Sequence, residues 1–278
     1  MSAPPLSKRR LVTLPLLRRE SIGGLYHVLT FDDPEGSHAE PGQFLMVRGA
    51  EWGDAPLLPR PMSYLTAGAT PSVLIKVIGE GTLRMGRAEP GEPFTLLGPL
   101  GKPWRAPTPG RRPVLVAGGV GLAPLLFLAR KLVENGGQKP IAIYGGRSVR
   151  DLPLDDELGA ISELYVTTED GSRGVKGRVT DVLGDLLGVG KEVFTCGPDR
   201  MMAKVAELCA QRDVPCEASL ETPMACGYGV CLGCPVPSTD GSYLYACMQG
   251  PCVDARRVDW SRADHAPKKV SAVGRTGP

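Results

Sequence analysis

The sequence carries almost no net charge. Its 32 Lys and Arg stand against 30 Asp and Glu, a balance of +2, too weak a field to argue for nucleic acid or an anionic membrane as partner. It also lacks a long apolar run; nothing approaches the roughly 18–20 residues of a membrane-spanning helix. No secretory leader is expected either. The basic start through Lys8, Arg9 and Arg10 is followed by Leu11–Leu17, which is short, broken by Pro15 and without a small-residue cleavage site, so it predicts a first β-strand. There are no internal repeats. What remains is 42% hydrophobic and 22% charged over 278 residues. That composition fits an ordinary soluble globular chain with room for two domains and a small module.

Cysteine is not scarce, but it is unevenly placed. Five of the eight cysteines (226, 231, 234, 247 and 252) crowd one Gly-rich segment. That crowding points to metal ligation in a reducing compartment, hence the cytoplasm, and away from an extracellular disulfide framework. Cys226, Cys231 and Cys234 are spaced C-x4-C-x2-C, with Cys247 downstream, the plant-type ligand run for a [2Fe–2S] cluster. Gly227, Gly229 and Gly233 would let backbone N–H groups approach the bridging sulfides. The competing reading is a zinc site, Cys231-x2-Cys234 with Cys247-x4-Cys252, but it leaves Cys226 over and gives the glycine loop no purpose. Cys247 is preferred to Cys252 as fourth ligand. Cys209 and Cys216 are given no role.

The first hundred residues read as β. Tyr26–Phe31, Phe44–Val47 and Val73–Ile78 are short runs of strand formers separated by turns such as Pro41-Gly42 and Pro90-Gly91, the texture of a small barrel. A Pro- and Arg-rich linker at Pro107–Pro113 ends this part. Beyond it strands are predicted at Val114–Ala117, Ile141–Tyr144, Leu164–Thr167 and Glu192–Cys196. They alternate with helices at Leu122–Glu134, Thr180–Leu187 and Asp199–Arg212, the pattern of an open, mostly parallel α/β sheet. The expected boundaries are 8–106 for the barrel, 110–217 for the α/β domain, 218–256 for the cysteine module and 257–278 for a basic tail.

Two sets of residues point to nucleotides. Arg60-Pro61-Met62-Ser63 offers a cation for a pyrophosphate, and Ser63 with Tyr64 suits an isoalloxazine. Gly81 and Thr82 open a helix predicted at Leu83–Arg87, where backbone N–H groups and the Thr82 hydroxyl suit a phosphate. Read singly, these are an Arg-Pro turn and a Gly-rich turn. Gly118-Gly119-Val120-Gly121 follows a strand and opens a helix, as a dinucleotide loop does, although Pro124 stands where a third glycine is usual. Cys196 ends another strand, where such sheets bind ligands, and is either a buried thiol or a neighbour of a nicotinamide ring. Glu169 and Asp170 would repel a 2′-phosphate and favour NAD over NADP; Arg147 and Arg173 are nearby cations that would oppose this.

Together these segments resemble the ferredoxin–NADP reductase superfamily, and within it the electron-transfer subunits of NAD-linked (type B) dihydroorotate dehydrogenase. The likeness runs through Arg60–Ser63, Gly81-Thr82, Gly98–Gly101, Gly118–Gly121 with Pro124, Tyr144–Arg147 and Thr168–Gly171. It continues through Cys196–Pro198, Ser219–Glu221, Met224–Cys234 and Cys247 with Gly250-Pro251. The resemblance implies a six-stranded antiparallel FAD barrel, a parallel α/β NAD-binding domain and a small [2Fe–2S] module. It implies FAD contacts at Arg60, Pro61, Met62, Ser63, Leu74, Ile75, Lys76, Gly81 and Thr82, and cluster ligation by Cys226, Cys231, Cys234 and Cys247; Gly119, Gly121 and Cys196 are the nicotinamide-nucleotide residues that the loop and strand-end pattern offers. The chain departs from the family at Cys252, where an aliphatic residue is usual.

The implied partner is an FMN-containing dihydroorotate dehydrogenase subunit, in a heterotetramer of two of each, serving pyrimidine (UMP) synthesis. Electrons would enter through the cluster, collect on FAD and leave as hydride to NAD, with no acid–base residue required. Two alternatives stand beside this: a flavin and Fe–S reductase subunit of a hydrogenase, sulfite reductase or transhydrogenase-like complex, and a zinc-stabilised binding protein on a reductase fold.

Overall fold

The structure is a computed structural model and describes residues 9–262; the expected tail lies outside them from 263 onward. Six strands close into an antiparallel barrel: β1 (Arg10–Ser21), β2 (Tyr26–Phe31), β3 (Phe44–Gly49), β4 (Arg60–Thr66), β5 (Ser72–Lys76) and β6 (Pro93–Leu100), in the order β1-β2-β5-β4-β3-β6. Closure depends on the length of β1. Its first half, Arg10–Pro15, pairs with β6, and its second half pairs with β2 after a register shift between Leu16 and Arg18; bulges allow such bends. The barrel is filled by Leu16, Leu29, Phe31, Leu45, Val47, Ile75 and Phe94. Helix α1 (Glu80–Met85) follows β5. It begins before the predicted Leu83 because Thr82 folds its hydroxyl back onto the turn: Oγ1 accepts from Ile78 N (3.0 Å) and Gly79 N (3.2 Å).

The second layer is a seven-stranded sheet with strand order β10-β9-β8-β7-β11-β12-β15, its last strand being Cys252–Asp254. Its parallel strands are β7 (Arg112–Gly118), β8 (Ile141–Gly146), β9 (Glu163–Thr168), β10 (Val175–Lys176), β11 (Lys191–Cys196) and β12 (Cys216–Ser219). Helices α2 (Leu122–Glu134), α3 (Asp155–Ile161), α4 (Val179–Leu186) and α5 (Asp199–Gln211) connect them. Apolar runs in the strands reflect burial on both faces. Val114 and Val116 enter the cluster shared with α4 and α5, whereas Leu115 and Ala117 enter the one shared with α2. The four α/β strands and three helices expected from the sequence are present with small shifts at their ends.

Long-range contacts hold the parts together. Helix α2 packs on the barrel: Phe127 joins the barrel cluster and Arg130 donates to Leu65 O (3.1 Å). The C-terminal segment adds a hairpin, β13 (Pro235–Pro237) with β14 (Tyr243–Tyr245), then the short helix α6 (Ala246–Gln249) and β15 (Cys252–Asp254). Strand β15 pairs antiparallel with β12, so the cysteine-rich segment shares a sheet with the α/β part. Among the described residues no helix is long and apolar enough to cross a membrane.

Candidate functional site

The loop 226–234 wraps its backbone around sulfur. Gly227 and Gly229 sit at φ +80° and +94°, conformations costly for other residues. A side chain at Gly227 would strike Met46 Cγ at 2.6 Å, so the glycine lets the loop lie against the barrel end. The Cys226 sulfur accepts from Tyr228 N and Cys231 N, both at 3.5 Å, and Cys231 Sγ accepts from Gly233 N at 3.4 Å. Burial pushes the Cys226 thiol up, but these backbone N–H groups outweigh it and bring it down to about 6. Across the loop Cys234 Sγ lies 3.2 Å from Cys247 Sγ, and Cys247 N donates to Cys234 Sγ (3.5 Å). Burial, then the shared hydrogen bond with Cys234, pushes Cys247 up to about 12.

The four cysteines therefore fall into two pairs: Cys226, whose sulfur accepts from Cys231 N, and Cys234, whose sulfur lies against that of Cys247. A [2Fe–2S] cluster asks for two thiolates on each of two irons, and N–H groups already pointed at sulfur suit it. A single zinc asks for four ligands around one point, and among the described residues no three His, Cys, Asp or Glu side chains converge in that way. Cys252 stands apart. Its buried sulfur lies 3.6 Å from Gly42 O, in the same apolar cluster as Trp104 and Phe194, so the zinc quartet built on spacing does not assemble.

The second group lies on the barrel. Arg60, Pro61, Met62 and Ser63 are half-buried on β4, although β4 is paired on both sides. The Arg60 guanidinium lies on the first turn of α1; a side chain at Gly81 would come within 2.5 Å of its Nε. A cation and the unpaired first-turn N–H groups thus meet at Gly81 and Thr82, as a pyrophosphate requires. The Thr82 hydroxyl, however, is committed to its own turn, donating to Gly79 O (3.0 Å) as well as accepting, so its backbone is what remains to bind. On β5, Leu74 and Ile75 are buried, and Lys76 turns to the α/β part. There Asp151 Oδ1 accepts from Lys76 Nζ (2.7 Å) and from Tyr26 Oη (2.9 Å).

The third group sits where the chain order reverses. Strands β8, β9 and β10 lie on one side of β7, and β11 and β12 on the other; ligands of open α/β sheets bind at such a switch point. Here Gly119 takes φ +55°, and a side chain at Gly121 would lie 2.3 Å from Cys196 O. The two loops meet backbone to backbone. Cys196 is 1% exposed, and burial, then the Glu221 carboxylate, pushes its thiol well above the usual range. It is a small neutral wall. Glu221 Oε1 stands 4.0 Å from Cys196 Sγ. In the sequence Glu221 belongs only to the Ser219–Glu221 stretch of the family likeness; the structure adds that it stands just past β12.

The outer end of the crevice bears on the coenzyme. Asp170 Oδ1 accepts from Ser172 N (2.9 Å) and Oγ (2.6 Å), and beside it Glu169 is exposed. Arg173, one of the two opposing cations, is held by Asp155 (2.7 Å) and Asp156 (3.1 Å) at the start of α3. Arg147 and Arg173 are nonetheless exposed, as Glu169 and Asp170 are, so beyond β9 both signs of charge face outward and only Arg173 is tied down by carboxylates.

Comparison with known proteins agrees with this geometry. Residues 221–259 match the iron–sulfur cluster binding domain of dihydroorotate dehydrogenase B, and residues 115–207 match an oxidoreductase NAD-binding domain. The chain is 36% identical over 245 residues to the dihydroorotate dehydrogenase B (NAD(+)) electron transfer subunit of Desulforamulus reducens, covering 84% of this chain and 92% of that one. The corresponding subunit of Caldanaerobacter subterraneus is 34% identical, with 87% and 96% covered. Among solved structures, one described as an NADH-dependent reduced ferredoxin–NADP oxidoreductase, from work on flavin-based electron bifurcation, superposes with a TM-score of 0.79. It is 27% identical and covers 95% of this chain and 93% of that one. The chain belongs to the family of dihydroorotate dehydrogenase B electron transfer subunits.

Proposed function

We propose that the protein carries electrons between a dihydroorotate dehydrogenase catalytic subunit and NAD+, as an NAD-dependent flavin and iron–sulfur oxidoreductase subunit in pyrimidine synthesis. Four cysteines in two pairs, Cys226 with Cys231 on the loop and buried Cys234 with Cys247 of α6, on a segment that shares the sheet of the dinucleotide crevice, carry this reading. When bound, the [2Fe–2S] cluster supplies one-electron exchange and FAD supplies the exchange between single electrons and hydride. The chain's task is placement.

The ligands in this reading are Cys226, Cys231, Cys234 and Cys247. Arg60, with the first turn at Gly81 and Thr82, holds the flavin pyrophosphate. Pro61, Met62 and Ser63, with Leu74, Ile75 and Lys76 on the next strand, line the flavin's seat. Gly119 and Gly121 admit the NAD pyrophosphate, and Cys196 backs the nicotinamide. The exposed apolar side chains of Tyr228, Val230, Leu232 and Met248 surround the cysteine loop. They form the face on which the catalytic subunit, with its FMN, docks, in a heterotetramer of two of each. The divisions 8–106, 110–217 and 218–256 serve as working units for flavin, nicotinamide and cluster, with 257–278 as a tail. Eight unpaired thiols suit the reducing cytoplasm.

The solved relative with bifurcation chemistry keeps a second reading open: the same relay with a different partner. The test is reconstitution. Flavin- and iron-loaded protein is mixed with a dihydroorotate dehydrogenase catalytic subunit, and NADH formation from dihydroorotate is followed. Formation that requires both chains supports the first reading. Rapid NADH-to-dye reduction without dihydroorotate-dependent NADH formation supports the second. A colourless, zinc-containing product would remove both.

A further inference from the structure

Met46 stands on β3 and is 1% exposed. Its neighbours along the strand, Leu45 and Val47, fill the barrel, whereas Met46 joins the outer cluster with Cys234 and Cys247. The side chain therefore leaves the barrel on the side of the cysteine module. Across the strand pair Met46 is opposite Pro61, and Phe44 is opposite Ser63. Opposed residues of an antiparallel pair share a face, so Pro61 and Ser63 of the proposed flavin seat look out on the same side. Met62, between them, packs toward the barrel interior. The cysteine loop lands on that outer face. A side chain at Gly227, next to Cys226, would meet Met46 Cγ at 2.6 Å, Met46 Sδ at 2.8 Å and Leu100 Cδ1 at 3.0 Å. Leu100 belongs to β6, one strand farther from the seat. The module is also sewn to the barrel end by backbone, Lys102 N donating to Gly250 O (2.6 Å). Where the loop meets β3, a thioether makes the contact instead. The flavin seat and the residue that carries the loop are thus one strand apart, with about 4.8 Å between the backbones of β4 and β3.

We infer that Met46 is a positioning residue: its side chain spaces the cluster loop from the flavin seat and fills the path that electrons take between them. The inference rests on the flavin and cluster placement proposed above. NADH gives the flavin two electrons and a proton as hydride. One electron then passes to the cluster, which is reduced by one, and the flavin keeps the other. No bond forms or breaks in that second step. For given potentials its rate depends on the distance and on the atoms in between, because tunnelling fades faster across empty space than through packed atoms. The first step, hydride transfer between rings in contact, does not cross Met46.

Stopped-flow mixing of the flavin- and iron-loaded protein with NADH resolves bleaching of the flavin from bleaching of the cluster. Met46→Ala leaves a void under the loop. It should keep the rate of the first phase and slow the second about tenfold, short of the roughly hundredfold that a 1 Å misplacement can cost. Met46→Leu, close to it in volume, should restore the second phase. Electron paramagnetic resonance of protein poised at half reduction supplies a readout apart from turnover. The magnetic coupling between the two cofactors should be weaker in Met46→Ala than in wild type or Met46→Leu. If Met46→Ala does not retain iron, Met46→Val, which keeps the packed stem, carries the same expectation at reduced size. An iron- and flavin-replete truncation with unchanged second phase and coupling would overturn the inference. Equal slowing of both phases, or slowing that Met46→Leu does not relieve, would also overturn it, since either marks a general loosening. A wild-type protein that binds no flavin, or whose cluster NADH never bleaches, would overturn the placement on which the inference rests.

Discussion

The cysteine loop and the nicotinamide crevice solve opposite problems. The loop sits at the surface, with Val230 73% exposed and Cys231 open to solvent; the crevice ends on Cys196 at 1%. In the loop, glycines let backbone N–H groups reach sulfur. In the crevice, Gly121 lets one loop touch the backbone of another. The difference follows from what each end transfers. An electron crosses a gap, so its site can face a partner across an interface. A hydride moves only between atoms in contact, so its site needs close-packed walls that fix two rings and limit water. One chain therefore carries a soft, exposed end and a rigid, buried end.

The sharpest way to break the comparison is at sulfur. Cys231→Ser should lose iron and inorganic sulfide outright, and with them electron transfer to one-electron acceptors. Cys252→Ser should keep both, since its sulfur faces Gly42 O and not the loop. Iron and sulfide analysis with the electron paramagnetic resonance signal of the reduced protein checks the pair. An iron-free Cys252→Ser would mean that the two pairs seen here are not the ligand set.

Next in size is the buried end. Gly121→Ala forces a methyl to within 2.3 Å of the Cys196 carbonyl oxygen, and backbone cannot yield as a side-chain tip can. Overpacking of this kind costs about 1–3 kcal/mol. The rate of flavin reduction by NADH should fall about ten- to a hundredfold with iron content unchanged. The converse is Val230→Asp, which should weaken capture of the catalytic subunit by about 1–2 kcal/mol, read by titration calorimetry. NADH-dependent dye reduction should stay as it was, because Val230 touches neither half of the crevice.

The two ends were not equally legible in the sequence. The cysteine loop is contiguous, so its spacing and glycines carry its chemistry in nine residues. The apolar β7 strand and the Gly118–Gly121 loop after it are likewise local signals. What the sequence concealed depends on pairing at long range. Cys252 could be separated from the quartet only once β15 had paired with β12 and its sulfur met Gly42. Lys76 reads as a cofactor contact, and only the fold reveals its ion pair with Asp151, 75 residues away. Helix α3 escaped notice because Leu154, a non-glycine residue at φ +59°, starts it without a capping side chain. Glu221 has no motif of its own; the pairing of β12 with β11 is what brings it to Cys196.

The smallest expected effect belongs to the buried end alone and comes from Glu217. This residue lies on β12, the strand that leads to Glu221, and is 6% exposed. Burial raises its carboxyl; the Arg105 backbone N–H (3.2 Å) and guanidinium (3.6 Å) oppose this without prevailing, and the group rises from 4.5 to about 7. Between those values the folded protein binds a proton that the unfolded chain has released. The contribution is therefore fully present below about pH 4.5 and is lost as pH rises through 7. Glutamine keeps the acceptor for Arg105 N and cannot ionise. Glu217→Gln should thus match wild type at pH 5 and exceed it at pH 8. The full shift would be worth roughly 3 kcal/mol at 1.36 kcal/mol per unit, but Arg105 loses its charged partner and is itself partly solvated, so about 1 kcal/mol should remain. Urea melts at the two pH values measure it. The cysteine loop has no counterpart to this buried acid, so iron content should be the same at both. A gain of equal size at pH 5 would mean that Glu217 is strained by packing and not by charge.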